Sequence, residues 1–174
     1  MTTAKRKQVK VLLLDVDGVL TGGEIVYTDA GTETKSFNVK DGLGIKLLMD
    51  AGVTVGIITG RRSNALLHRC ADLGINLIYD GIQNKGAILD TVVKQIGVNA
   101  DEIAFAGDDL PDIPLLKKVG LAVAVADAHD AVKQIADWVT EKNGGQGAVR
   151  EICEAILAAK GLLENCIACR ESTD

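Results

Sequence analysis

The run Val11-Leu-Leu-Leu14 ends abruptly in two aspartates, Asp15 and Asp17, followed by Gly18. Consecutive aliphatic residues bounded by glycine read as a strand buried on both faces. Such a strand belongs inside a parallel sheet, where helices cover both sides. An ionised carboxyl is costly to strip of water, so the two aspartates cannot follow the strand into the core unpaired. They must stand at its exit, against a cation.

The remainder of the chain builds on that strand. Glu24–Thr28 and Thr32–Val39 are strand-like around the turn Asp29-Ala-Gly31, which predicts a hairpin flap over about residues 22–40. Asp41 is placed to cap a helix running to about Asp50, stopped by Gly52. Val53–Ile58 reads as a second buried strand ending in Thr59-Gly60-Arg61-Arg62. A helix over 64–73 follows, closed by Gly74, and then a strand over 75–79. Lys85 opens a helix to about Ile96. Ile103–Ala106 forms a further strand ending in Gly107-Asp108-Asp109, with Pro111 suited to a helix start. Leu121–Val125 is another strand, and Val139 a short edge strand. Gly144-Gly-Gln-Gly147 reads as a flexible hinge before a helix over Val149–Leu163.

Strands and helices alternate without internal repeat. The pattern predicts an α/β fold in one domain over 1–174: a doubly wound, mostly parallel, Rossmann-like sheet with a small β-hairpin flap. Neither Asp17 to Thr59 nor Thr59 to Lys85 leaves room for a cap domain once these elements are placed. In a sheet of this type ligands bind outside the carboxyl ends of the strands. Three of those ends carry polar groups: Asp15/Asp17, Thr59, and Asp108/Asp109.

Composition narrows the partners. Aromatics are only 3% of the residues and the formal net charge is −5, which argues against nucleic acid. The basic start MTTAKRKQVK lacks the apolar segment of a signal peptide, and no apolar run is long enough to span a membrane. The expectation is a cytoplasmic protein whose four cysteines are free thiols. Cys166-x-x-Cys169 has the spacing of a redox or zinc pair, but no second pair or histidine cluster accompanies it.

Asp15, Asp17, Asp108, Asp109 and Asp112 form a dense carboxylate set without histidine or cysteine in its motifs. Oxygen-only donors of this kind suit Mg²⁺. Thr59 offers a hydroxyl and, with Gly60, backbone N–H groups near a helix start, which suit phosphate oxygens. Lys85 supplies a point charge for the same group. A carboxylate nucleophile with a second carboxylate two residues on supports an aspartyl-phosphate route. Asp15 attacks phosphorus, and Asp17 protonates the leaving oxygen and later activates water.

Asp15-x-Asp17-Gly-Val-Leu-Thr21, Thr59, Lys85 and Gly107-Asp-Asp-x-x-Asp112, in that order, resemble the haloacid dehalogenase superfamily of phosphotransferases. The resemblance implies Asp15 as nucleophile and Asp17 as acid/base. Mg²⁺ would be held by the Asp15 carboxylate, the Asp17 main-chain carbonyl and the Asp108 carboxylate, supported by Asp109 and Asp112. The segments FNVKDGLGIK, IITGRR, RCADLGI, NKGAIL, AGDDLPD, KVGLAVAVADAH and GGQGAVREIC further resemble the 3-deoxy-D-manno-octulosonate (KDO) 8-phosphate phosphatases, over about residues 9–160. That family implies a small phosphorylated sugar acid as substrate, in lipopolysaccharide precursor synthesis. It also implies a homotetramer whose flaps meet centrally, with sites near subunit interfaces. Its substrate-contacting positions fall here at Asn38, Val39, Lys40, Asp41, Gly42, Lys46, Arg61, Arg69 and Lys85. Lys40 stands where the family commonly has Arg, and Gln146 where the glycine hinge often has Arg. Two other readings remain: a phosphatase for a nine-carbon (nonulosonate) 9-phosphate, and a non-catalytic oligomerisation module.

Overall fold

The computed structural model describes residues 2–171. Its centre is β1 (Val11–Leu14), every residue of which is buried. β1 pairs in parallel with β4 (Thr54–Ile58) on one side and with β6 (Ile103–Gly107) on the other. β5 (Leu77–Tyr79) extends the sheet beyond β4, and β7 (Leu121–Ala124) and β8 (Trp138–Val139) extend it beyond β6. The order is β5-β4-β1-β6-β7-β8, parallel throughout, and helices cover it. The strand order reverses at β1, so the crevice between β1 and β6 opens at their carboxyl ends, where a doubly wound sheet binds its ligand. Asp15 and Asp108 stand at those two ends.

The flap is smaller than the sequence predicts. β2 (Val26–Tyr27) and β3 (Glu33–Thr34) form a two-rung antiparallel ladder around the 29–31 turn. Residues 22–25 and 35–38 on either side of it add no further rungs. No cap domain stands over the crevice among the described residues.

Helix α2 (Val39–Asp50) begins three residues earlier than expected and is capped by Asn38, whose Oδ1 accepts from Lys40 N at 2.8 Å. Asp41 is not the cap. It is buried in the first turn and accepts instead from Arg150 N at 2.8 Å, at the start of α7 (Ala148–Ala159). α2 and α7 therefore pack face to face with a carboxylate of one serving the free amides of the other. Burial raises the Asp41 carboxyl above its usual range, and the amides of Arg150 and Gly147 pull the other way.

Helix α3 (Asn64–Leu73) closes on Gly74, whose φ of +80° is the left-handed stop that glycine allows. The helix expected from Lys85 starts as a 3₁₀ turn, Lys85–Ala87, before α4 (Leu89–Ile96). After β6, a 3₁₀ turn with Pro111 leads into α5 (Ile113–Leu116), and α6 (Asp130–Ile135) follows β7. The long C-terminal helix divides at Gly161 into α7 and α8 (Leu163–Glu171).

The sequence gives no sign of α1 (Thr2–Gln8), because none of its residues is buried and no apolar period marks it. Polar contacts hold it: Lys5 pairs with Asp137 at 2.5 Å, and the Arg6 guanidinium lies 3.9 Å over the Trp138 ring. Cys70 and Cys153 are buried, Cys166 is half-buried and Cys169 exposed, and none of the four is in a disulfide. No helix among the described residues is long and apolar enough to cross a membrane.

Candidate active site

The turn that follows β1 is drawn tight by Thr21, whose buried hydroxyl lies 3.3 Å from Val16 O and within reach of the Gly18 and Gly23 amides. Gly18 has a φ of +93°, and a Cβ there would lie 2.0 Å from Asp108 Oδ2. Only a bare Cα lets the β1 and β6 exits close on each other. The 144–147 segment, expected to be a loose hinge, is instead packed onto this turn. Gly145 N donates to Val19 O at 2.9 Å, Gly144 N to Asp127 Oδ1 at 2.9 Å, and a Cβ on Gly144 would strike Gly18 O at 1.7 Å.

Asp15 is buried, and Lys85 Nζ lies 2.7 Å from its Oδ1. The same ammonium donates to Asp112 Oδ1 at 2.6 Å. Asp112 is fully engaged, because its Oδ2 also accepts from the backbone N–H of Asp108 (2.9 Å) and Asp109 (3.2 Å). It braces the β6 exit and orients Lys85. Burial alone would lower the Lys85 pKa, but Asp15 and Asp112 together hold it above the ordinary lysine value. Asp109 faces solvent and caps the 3₁₀ turn through Leu110 N.

Carboxylate oxygens of Asp15, Asp108 and Asp112 all lie within 4.8 Å of one another. Desolvation first, then the charge of Asp112, pushes Asp15 up to about 6. Desolvation and the charges of Asp15 and Asp112 push Asp108 to about 8. Asp108 Oδ1 is buried without a hydrogen-bond partner. A buried, orphaned carboxylate oxygen beside a second carboxylate, with oxygen donors only, fits a hard divalent cation such as Mg²⁺. Asp15 and Asp108 could hold such an ion, whereas the Asp112 oxygens already accept from Lys85 and two backbone amides.

Thr59 is buried at the end of β4, and its Oγ1 accepts from Arg61 N at 3.2 Å. Gly60 follows it, and a Cβ there would lie 3.7 Å from Ile82 O. Arg61 and Asp17 stand at the mouth. Arg61 Nη2 donates to Glu33 Oε2 at 2.6 Å and to the Tyr27 hydroxyl at 3.2 Å, both on the flap. Those two contacts raise the Arg61 pKa, and Arg61 and Lys35 lower that of Glu33. Asp17 Oδ1 accepts from Lys35 Nζ, and its Oδ2 lies 3.8 Å from Arg61 Nε.

Asp15, Asp17, Thr59, Gly60, Arg61, Lys85, Asp108, Asp109 and Asp112 line one open cleft of about 590 Å³. The other positions drawn from the family lie outside its lining. Asn38 caps α2 and reaches Gly145 O at 3.2 Å; Val39, Lys40 and Lys46 are exposed on α2; Asp41 serves α7. Arg69 Nη2 donates to Asn38 O at 3.3 Å and would be 2.1 Å from a Cβ on Gly42, so it clamps the start of α2. Glu33, Lys35 and Tyr27 are site residues that sequence reasoning missed. The alternation of β3 places Glu33 and Lys35 on one face, but nothing local says that this face meets the cleft.

Comparison with known proteins agrees with this geometry. A family model for haloacid dehalogenase-like hydrolases matches residues 77–152. The 3-deoxy-D-manno-octulosonate 8-phosphate phosphatase KdsC of Escherichia coli K12 is 45% identical over 161 residues, 92% of this chain and 86% of that protein. KdsC of Haemophilus influenzae is 45% identical over 157 residues, 90% of this chain and 87% of the relative. Among solved structures, the Moraxella catarrhalis 3-deoxy-D-manno-octulosonate 8-phosphate phosphatase, in complex with a magnesium ion, a phosphate ion and KDO, superposes with a TM-score of 0.95 at 39% identity, covering 97% of each chain. The Yersinia pestis phosphatase gives 0.92 at 41% identity, covering 94% of this chain and 88% of that one.

Proposed function

The chain belongs to the 3-deoxy-D-manno-octulosonate 8-phosphate phosphatases of the haloacid dehalogenase-like hydrolases, and we propose that it hydrolyses KDO 8-phosphate to KDO and phosphate with Mg²⁺. The observation that carries the reading is the buried Asp15, Lys85 and Asp112 gathered with the half-buried Asp108 at the β1/β6 crevice.

Asp15, Asp108 and the Asp17 carbonyl would hold the ion. When bound it offsets the clustered carboxylate charge and draws charge from the phosphoryl oxygens. Asp15 attacks phosphorus in line, and the phosphoryl group passes to its carboxylate as the bond to the sugar oxygen breaks. Asp17 gives that oxygen its proton. In the second half a water attacks the aspartyl-phosphate, Asp17 takes the water's proton, and phosphate leaves with Asp15 restored. Lys85, the Thr59 hydroxyl and the amides after Thr59 hold the phosphoryl oxygens as charge shifts onto them. Asp112 supports the metal side by accepting from the Asp108 and Asp109 amides, and Asp109 by capping the turn that carries Asp112.

The cleft is open, so the sugar is recognised at its rim. Arg61, with Arg69 and Lys46 farther out, supplies cations for a substrate that carries a carboxylate besides its phosphate. A homotetramer with flaps meeting centrally suits the exposed Ile25, Val26 and Tyr27, because a two-rung hairpin is marginal without a surface to lie on. In that assembly the exposed Val39, Lys40 and Lys46 would approach a neighbouring subunit's site. The same reading places the enzyme in the cytoplasm, in lipopolysaccharide precursor synthesis. Lys40 and Gln146 favour testing a second substrate, a nonulosonate 9-phosphate, since lysine cannot make the bidentate carboxylate contact of arginine.

The test is Mg²⁺-dependent phosphate release from KDO 8-phosphate, a nonulosonate 9-phosphate and neutral sugar phosphates. The expected result is the highest kcat/KM on KDO 8-phosphate. Preference for neutral sugars would overturn the carboxylate role of Arg61, and absence of Mg²⁺-dependent turnover would favour a scaffold. Mass measurement in solution checks the tetramer.

A further inference from the structure

Arg61 is claimed twice. The proposed function gives it to the substrate's carboxylate, yet the structure shows it holding a carboxylate of its own chain. Glu33 Oε2 lies 2.6 Å from Arg61 Nη2, and the Tyr27 hydroxyl shares that nitrogen at 3.2 Å. Lys35, whose side chain is 2% exposed, spans Asp17 and Glu33, with Nζ 3.0 Å from Glu33 Oε1. Glu33 is thereby fixed in position by a second cation and cannot simply drift from Arg61. The guanidinium is not saturated, however: its Nε is buried without a hydrogen-bond partner. The Arg61 side chain is 39% exposed, so solvent and ligand both reach it.

We propose that Glu33 is a specificity-determining residue, an internal carboxylate that competes with the sugar acid's carboxylate for Arg61 and so sets how tightly the acid end of substrate and product is held. The inference rests on the reading of Arg61 as the substrate-carboxylate contact. Placing the acid's carboxylate on the same guanidinium sets the new contact against the Glu33 contact, so the acid gains less from Arg61 than it would from an uncontested arginine. The substrate tolerates this because its phosphate is gripped deep in the cleft. The product does not: once phosphate has left, the carboxylate is its main charged handle, and Glu33 takes Arg61 back. A tight carboxylate site would retain product, whereas a contested one releases it. Neutral sugar phosphates do not use Arg61 and are insensitive to the contest.

The experiment measures inhibition by free KDO of p-nitrophenyl phosphate hydrolysis at saturating Mg²⁺, in the wild type, Glu33→Gln, Arg61→Gln and the double variant. Calorimetric titration of KDO provides a readout independent of turnover. Glu33→Gln is expected to lower the inhibition constant about tenfold, the size of one charge-assisted hydrogen bond. In the Arg61→Gln background the same substitution is expected to change nothing, which the double-mutant cycle isolates. An inhibition constant that stays within about twofold, or rises, in Glu33→Gln overturns the proposal and makes Glu33 a brace for Arg61. If Arg61→Gln alone leaves KDO binding unchanged, the carboxylate reading of Arg61 falls, and the competition falls with it.

Discussion

Two charged clusters meet in this cleft and are built in opposite ways. At the floor, Asp15, Lys85 and Asp112 are buried, and each is held by strand ends and the turns that leave them. At the rim, Glu33, Arg61 and Lys35 join a two-rung hairpin to the loop after β4, and Arg61 remains partly in solvent. Charges in the floor cannot separate without leaving an unpaired ion in low dielectric, so they keep one geometry. At the rim Lys35 is buried, but the half-exposed Arg61 can exchange partners at little cost. The floor suits a reaction that must always be the same, and the rim suits a choice among substrates.

The strongest test of that contrast is Asp15→Asn. Removing the nucleophile is expected to lower kcat on KDO 8-phosphate by about 10⁴-fold or more, measured by single-turnover phosphate release. Folding should survive, because the amide removes repulsion with Asp112. Lys85→Met comes next. It leaves Asp15 and Asp112 facing each other without their cation, and a stability loss of about 3–5 kcal/mol is expected from denaturant unfolding at neutral pH. A loss under 1 kcal/mol would show the floor to be as forgiving as the rim.

Magnesium sharpens the comparison through pH. Asp15 at about 6 and Asp108 at about 8 lie above the ordinary 3.8 of an aspartate. In the metal-free protein both keep protons that the unfolded chain has already lost. Their contribution therefore makes the fold less stable as pH rises from about 4 toward 8. Mg²⁺ binds the ionised carboxylates, so the rise in melting temperature that it gives should be larger at pH 8 than at pH 5. Equal rises at both would exclude these two groups as its ligands. Smallest are the arginines. Arg61→Met should raise KM for KDO 8-phosphate about tenfold with little change in kcat. Arg62→Ala should do almost nothing, because Arg62 is 80% exposed and 3.7 Å from Asp80.

The same contrast explains what could be read from the sequence. The floor was legible because Asp15 and Asp108 follow buried apolar strands, so the order of strands carries those carboxylates together, while Lys85 and Asp112 stood out by their motifs. Gly74, Pro111 and the β8 edge were legible for equally local reasons. The rim was not: Glu33 opens a two-residue strand and Lys35 follows it, and their partners are decided by how the hairpin docks. Asp41 looked like a helix cap because aspartate at a helix start usually is one, yet the close packing of α2 on α7 gave it a distant amide instead. The Gly144–Gly147 segment looked loose for its glycines, but those glycines serve close backbone approach. Helix α1 had no pattern to reveal it, being tied by Lys5 and Arg6 to the far edge of the sheet.

The position of β1 has a consequence for how the protein is made. It precedes every other strand of its sheet, yet one of its neighbours, β6, lies about 90 residues downstream. Until β6 is translated, an all-aliphatic strand has one open edge, the kind of surface that nascent chains lose to aggregation and that chaperones shield. Asp15 and Asp17 close that run with charge, so the residues assigned to phosphoryl transfer also guard the young polypeptide at its most adhesive point.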